Sequence, residues 1–188
     1  MDRFKEAIQR FDQANAADPK DEALPYAKRM TEWLDRLAPD ASEPLKLAAR
    51  AQHICRWMIP RDSYPMTRGG YHDWRNRLAQ FHAEKAGQIM REAGYDDPMI
   101  ARVGSLLCKE NLKSDAETQT LEDVICLVFL ESYFADFAAK HAHEPEKLIT
   151  ILRRTWRKMS PRGQGEALKL PLGDREKQLI QRALNPAA

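Results

Sequence analysis

Apolar residues recur three or four positions apart along almost the entire chain, which is the spacing of one face of an α-helix. Met30 and Leu34 show this spacing in one segment, and Leu127 and Leu130 show it in another. No stretch of useful length alternates apolar and polar residues as a half-buried β-strand does. The sequence therefore predicts an all-α fold, a single compact helical bundle over residues 1–188.

Proline, glycine and helix-capping residues divide this periodic pattern into separate helices. Ser42 is a good N-cap, and Asp97 followed by Pro98 is a good pair of cap and first helical residue. Two segments that are rich in proline and glycine, 59–73 and 160–173, are predicted to be loops. The helices are expected at about 2–15, 22–37, 43–58, 74–93, 97–111, 115–140 and 145–158, with a short last helix capped by Asp174.

Composition excludes several classes of protein. Hydrophobic residues make up 43% of the chain and charged residues 31%, as in folded globular proteins and unlike disordered chains. The longest apolar run, at 124–130, is far shorter than the roughly 20 residues of a membrane span, and the N-terminal residues lack the apolar core of a secretory signal. Three dispersed cysteines, Cys55, Cys108 and Cys126, indicate reduced thiols. We therefore expect a cytoplasmic protein.

Three polar residues lie where the helical pattern calls for an apolar side chain. His82 lies between Leu78 and Ala86 on one predicted helix face. Glu110 ends the apolar face of the next helix, and Asp123 begins that of the helix after it. A buried polar group is costly unless it is paired, hydrogen-bonded or bound to a metal. Two interpretations stay open: the three residues share a polar site, or each is satisfied locally, the histidine by a backbone carbonyl, the aspartate as a helix cap and the glutamate by a neighbouring lysine.

Arginines and aromatic residues alternate in one part of the chain, residues 56–77, which we call the arginine–aromatic segment. Arginine forks bind phosphate groups, and aromatic rings can stack on bases. The segment predicts a small anionic, phosphorylated ligand; a nucleic acid is the less favoured partner because the net charge is only +2. Alternatively, the arginines solvate the surface and the tryptophans fill the core. The members are Arg56, Trp57, Arg61, Tyr64, Arg68, Tyr71, Trp74, Arg75 and Arg77.

Two resemblances to known families follow from short motifs. The stretches AQHICRWMIPR, GGYHDWR, FHAEKA, LEDVICLVFLE and TWRKMSPRG resemble an uncharacterised bacterial and fungal family of domains of unknown function, over most of the chain. The spacing of His53, His82 and Asp123 more distantly resembles the HD phosphohydrolase superfamily, over about 45–135. That second resemblance implies an HD-like helical core at about 43–140, with the remaining helices packed on it, and a divalent metal ion held by these three residues.

The sequence departs from the HD pattern at one position. The superfamily has a His-Asp dipeptide, whereas His82 is followed by Ala83. A literal dipeptide exists at His72 and Asp73, next to the predicted loop. We take His82 as the ligand and keep His72-Asp73 as the alternative position. The metal is open as well, because mixed nitrogen and oxygen ligands suit Mn, Fe, Co, Ni and Zn.

The HD resemblance implies a metal-dependent hydrolase, a phosphohydrolase acting on a nucleotide or another small phosphorylated compound, in which the metal activates water. Glu110 and Lys109 are the candidate catalytic residues, the first as a base or a further ligand and the second beside the substrate anion. The other residues predicted to hold that anion are Arg56, Arg61, Arg68 and Arg75.

Two further hypotheses compete with the hydrolase. The chain could be a non-catalytic helical module that binds a nucleotide or nucleic acid through the arginine–aromatic segment without a metal. It could also be an interaction protein in which the inward polar residues only determine packing.

Overall fold

The computed structural model describes residues 2–185, and its regular elements there are helices, with no β-strand among these residues. This confirms the predicted all-α fold. Two short 3₁₀ turns lie at Arg56–Met58 and Arg61–Ser63. The α-helices are α1 (Arg3–Ala16), α2 (Ala23–Leu37), α3 (Glu43–Ala51), α4 (Arg68–Glu92), α5 (Asp97–Leu107), α6 (Ala116–Ser132), α7 (Phe134–Lys140), α8 (Pro145–Lys158), α9 (Pro161–Ala167) and α10 (Asp174–Leu184).

The chain divides into two compact units, with the boundary inside α6 between Leu121 and Glu122. In the first unit, α3 packs against α1, α2 and α5, and α4 packs against α1 and α5. The predicted single domain stays a prediction. The fully buried side chains of the first unit include Phe11, Met30, Leu34, Leu47, Ile54, Leu78, Met90, Leu106 and Leu107.

Arg50 ties three helices of the first unit together at the end of α3. Its Nε and Nη2 atoms donate to the two carboxylate oxygens of Asp12 in α1, each at 2.7 Å. Its Nη1 atom donates to the Thr31 hydroxyl of α2 at 3.0 Å. A two-pronged contact of this kind restrains both distance and orientation. It therefore holds the point at which the chain leaves α3.

In the second unit, α10 packs against α8 and α7. The buried residues include Leu148 and Leu152 of α8 and Ile180 of α10. The predicted continuous helix over 115–140 is wrong, because Tyr133 (φ −128°, ψ −18°) separates α6 from α7. Phe134, the first residue of α7, is fully buried.

Other helix boundaries also differ from the prediction. The third helix ends at Ala51 and not near 58, because the turns that follow it contain Cys55 in a left-handed conformation (φ 52°). The fifth ends at Leu107 and not near 111, because Lys109 and Asn111 are also left-handed (both φ 57°). Such residues end a regular helix.

Two predicted loops contain helix. Helix α4 begins at Arg68, with the Thr67 hydroxyl accepting the N–H of Gly70 at 3.1 Å. A Cβ atom on Gly70 would lie 2.2 Å from the Pro65 carbonyl oxygen, so only glycine fits this first turn. The second predicted loop contains α9, which Ser160 caps. None of the described helices is both long and apolar enough for a membrane crossing.

Candidate functional site

His82 of α4 and His53, which follows α3, lie side by side, with their ring centroids 5.8 Å apart. His82 is only 3% exposed, and its Nδ1 atom lies 2.8 Å from the carbonyl oxygen of Ile54. A carbonyl only accepts hydrogen bonds, so Nδ1 carries the proton and Nε2 of the neutral ring is an acceptor. That Nε2 atom is buried and has no hydrogen-bond partner among residues 2–185. The local interpretation of His82 thus accounts for one ring nitrogen and not for the other.

His53 has partners on both sides. Its ring stacks on that of Tyr26 from α2, with centroids 4.2 Å apart and planes inclined by 14°. Its Nε2 atom lies 3.1 Å from Nη1 of Arg56. A guanidinium can only donate, so Nε2 of His53 accepts. The short turns after α3 therefore place His53 between an aromatic ring and a cation.

Burial and nearby cations keep both histidines neutral. Burial lowers the pKa of His82 to about 3, and the charges of Arg56 and Arg75 act in the same direction. Burial is also the largest cause of a pKa of His53 well below its usual range, followed by Arg56, His82, Arg75 and Lys109. Low pKa values of this origin mean that the surroundings oppose further positive charge.

Two arginines beside the histidines have no acid of the described chain to neutralise them. Arg56 and Arg75 are half-buried, and neither forms an ion pair within the described chain. Burial, and then the charge of Arg75, lower the pKa of Arg56 to about 10. The guanidinium of Arg56 also lies 4.8 Å from the ring centroid of Trp74. We call His53, Arg56, Arg75 and His82 the basic cluster.

The other residues predicted to hold an anion have different surroundings. Arg61 donates to the carbonyl oxygens of Tyr64 at 3.0 Å and Pro65 at 2.8 Å, so its guanidinium shapes the loop before α4. Arg68 is exposed at the start of α4. Lys109 is half-buried and contributes to the lowered pKa of His53, which associates it with the basic cluster.

The predicted catalytic residue Glu110 is exposed just after α5. Within the described chain its carboxylate forms no hydrogen bond or ion pair. His72 and Asp73 are both exposed in the first turns of α4. Within the described chain, no hydrogen bond or ion pair joins Glu110 or Asp73 to His53 or His82.

Asp123 belongs to the second unit, where it binds Ser160, the N-cap residue of α9. Its Oδ1 atom accepts the backbone N–H of Ser160 at 2.7 Å, and its Oδ2 atom accepts the Ser160 hydroxyl. A Cβ atom on Gly163 would lie 2.6 Å from Cγ of Asp123, so this close approach requires glycine. The carboxylate is thus used in a tertiary contact at the N-terminus of α9, 37 residues along the chain, and not as a cap of its own helix, as the local interpretation had it.

The predicted metal site finds little support in these positions. Within residues 2–185, no three or more histidine, cysteine, aspartate or glutamate side chains are grouped so that they could hold a metal ion. The guanidinium of Arg56 occupies the position that a metal on Nε2 of His53 would need. The His53, His82 and Asp123 site therefore stays a prediction.

Sequence reasoning missed two buried polar residues near the end of α3. Asn15 of α1 is 1% exposed, and its Oδ1 atom accepts the N–H of Cys55 at 3.2 Å, which supports the left-handed turn. Gln52 is 4% exposed, and its Oε1 atom has no partner in the described chain. The spacing of Asn15 from buried Ala7 and Phe11 was a usable signal, because all three lie on one face of α1.

Comparison with known proteins places the chain in a family. No curated protein and no solved structure is similar enough to match it. A family model described as "Domain of unknown function (DUF4202)" matches residues 5–180. The match confirms the predicted relation to an uncharacterised family and names no reaction. The chain therefore belongs to the DUF4202 family of domains of unknown function.

Proposed function

We propose that this protein binds a small phosphorylated compound in the basic cluster. The observation that carries the proposal is the pair of half-buried arginines, Arg56 and Arg75, that no carboxylate of the described chain neutralises. Like charges removed from water are costly unless an opposite charge compensates them. A bound phosphate group would supply that charge, and planar guanidinium groups suit its oxygen atoms.

The surroundings of the cluster favour a small ligand over a nucleic acid. Arg77 pairs with Glu84 at 3.0 Å, and Arg61 is held by backbone carbonyls, so these arginines do not form a continuous cationic strip. Binding along a nucleic-acid backbone relies on such a strip. In the proposal, Arg56 and Arg75 contact the phosphate, and Lys109 adds longer-range attraction.

The test is isothermal titration calorimetry with inorganic phosphate, glycerol 3-phosphate and AMP as probes. We expect saturable binding of at least one probe to the wild type, and Arg75→Gln should weaken it by about tenfold or more. Arg91→Gln is the matched control, because Arg91 lies in the same helix but about 24 Å further along its axis. It should bind like the wild type. Absence of binding to all three probes, or equal affinities of wild type and Arg75→Gln, would reject the proposal.

A metal-dependent hydrolase is the second candidate. One observation favours it: two of its three predicted ligands, His53 and His82, lie with ring centroids 5.8 Å apart. Elemental analysis of chelator-free wild type beside His82→Ala tests it. Near-stoichiometric transition metal that is lost in the variant would support this candidate. A metal-free wild type that also fails to bind added Mn, Co or Zn would reject it.

We also propose a cytoplasmic location. Cys55, Cys108 and Cys126 are all free thiols in the structure, and reducing compartments keep thiols in that state. Cell fractionation tests this, and recovery in an oxidising compartment would contradict it.

A further inference from the structure

We infer that the ligand of the basic cluster carries a hydroxyl group beside its phosphate, and that this hydroxyl donates a hydrogen bond to Nε2 of His82. The ligand class is then a hydroxylated phosphate ester, such as the phosphate of a sugar or another polyol. This inference rests on the proposed function and makes it more specific.

The unpartnered Nε2 atom of His82 is a hydrogen-bond acceptor. Because Nδ1 of His82 must donate to the carbonyl oxygen of Ile54 at 2.8 Å, Nε2 presents a lone pair. This tautomer follows from the hydrogen bond alone. Nε2 can therefore be satisfied only by a group that donates.

This acceptor is also buried. His82 is 3% exposed, and no described residue donates to its Nε2 atom. Buried polar atoms without a partner are uncommon in native proteins, and each calls for an explanation. A ligand that donates at this point supplies one.

Possible ligands differ in whether they offer a hydrogen-bond donor to this nitrogen. A fully ionised phosphate offers only acceptor oxygens, which would satisfy Arg56 and Arg75 and would repel the lone pair of His82. A ligand that satisfies all three side chains needs an anionic group for the arginines and a neutral donor for the histidine. An alcohol on a carbon near the phosphate has both.

A second buried acceptor agrees with this chemistry. Oε1 of Gln52, the residue before His53, is also buried and without a partner in the described chain. A further hydroxyl group of such a ligand would be a donor of the kind that this acceptor needs.

The experiment compares two esters of the same length, glycerol 3-phosphate and n-propyl phosphate, which differ in their hydroxyl groups. In calorimetric titrations the wild type should prefer glycerol 3-phosphate by about tenfold or more. His82→Leu should lower the affinity for glycerol 3-phosphate to that for propyl phosphate. His82→Gln, which retains an acceptor oxygen, should restore part of the preference.

Equal affinities of the wild type for the two esters would overturn the inference while leaving the proposed function intact. If neither ester binds and inorganic phosphate and AMP do not bind either, the proposed function itself fails. A protonated phosphate could also donate to Nε2. If inorganic phosphate binds as tightly as glycerol 3-phosphate, and more tightly as the pH falls, this inference is overturned in favour of that donor.

Nitrogen-15 NMR of the histidine side chains gives a measurement that needs no variant to fold. Without ligand, the Nε2 resonance of His82 should be that of an unprotonated nitrogen. Addition of glycerol 3-phosphate should shift it as hydrogen bonding to a lone pair does, whereas propyl phosphate should not. Equal shifts with both esters would contradict the inference.

Discussion

His82 and Asp123 are equally buried, each 3% exposed, yet their surroundings differ in kind. The chain itself completes the hydrogen bonds of Asp123, because Ser160 donates to both carboxylate oxygens. Among residues 2–185 it completes only one side of His82, and it leaves Nε2 without a partner and Arg56 and Arg75 without an acid. Burial of a polar residue is therefore a poor indicator of function. Incomplete hydrogen bonding together with unbalanced charge is a better one.

The largest expected effect is the loss of stability in Asp123→Ala. Asp123→Ala removes two hydrogen bonds to a charged group at the start of α9 and should lower the free energy of unfolding by about 3 kcal/mol. Urea denaturation measures this. Asp136→Ala, which removes an exposed acid of α7, is the control and should change stability by less than about 0.5 kcal/mol. A similar loss of unfolding free energy in both variants would show that the hydrogen bonds of Asp123 do not stabilise the protein.

Gly163→Ala should produce the next largest effect. The new Cβ atom would lie 2.6 Å from Cγ of Asp123, so the cap must shift. Overpacking of this kind costs about 2 kcal/mol. Gly165→Ala in the same helix has open space around its Cβ position and should not destabilise the protein. Calorimetric melting of the two variants checks the difference, and equal melting temperatures would refute the close contact.

The basic cluster should make the protein sensitive to mild acid. The pKa of His82 is about 3 in the folded state, whereas an unfolded histidine takes up its proton near pH 6.5. Stability from this source is complete above about pH 6.5 and is lost as the pH falls from there toward 3, by up to about 1.4 kcal/mol per pH unit.

Urea denaturation at pH 7 and pH 5 measures this loss, and His82→Leu should reduce it. His53, whose pKa is also lowered, keeps part of the dependence in the variant. Identical pH dependence of wild type and variant would show that His82 is not held neutral.

The smallest effect is expected for Arg68→Gln, which compares an exposed arginine with the half-buried Arg75. Arg75 is half-buried beside the histidines, whereas Arg68 is exposed at the start of α4. If the location of an arginine, and not its mere presence in the segment, determines ligand binding, Arg68→Gln should leave phosphate-ester affinity within about twofold of the wild type. A tenfold loss would mean that the ligand extends along the arginine–aromatic segment.

Much of the fold followed from local patterns. The helical period predicted the all-α class and the positions of α1, α2 and α8, and the inward direction of His82 followed from its apolar neighbours on the same face. Boundaries were less accurate where the chain bends through left-handed residues such as Cys55 and Lys109. These conformations depend on tertiary support, such as the hydrogen bond from Cys55 to Asn15, and leave no local signature.

The sequence by itself determined the helical class, an inward histidine and the arginine–aromatic segment at 56–77. Only the tertiary structure decided which polar groups find partners. Asp123 meets Ser160, which is 37 residues away, and His82 meets Ile54, which is 28 residues away, while Arg56 and Arg75 meet no acid in the described chain. The physical reason is that periodicity reports the face on which a side chain lies, whereas hydrogen bonds and ion pairs depend on distances between segments that folding alone brings together.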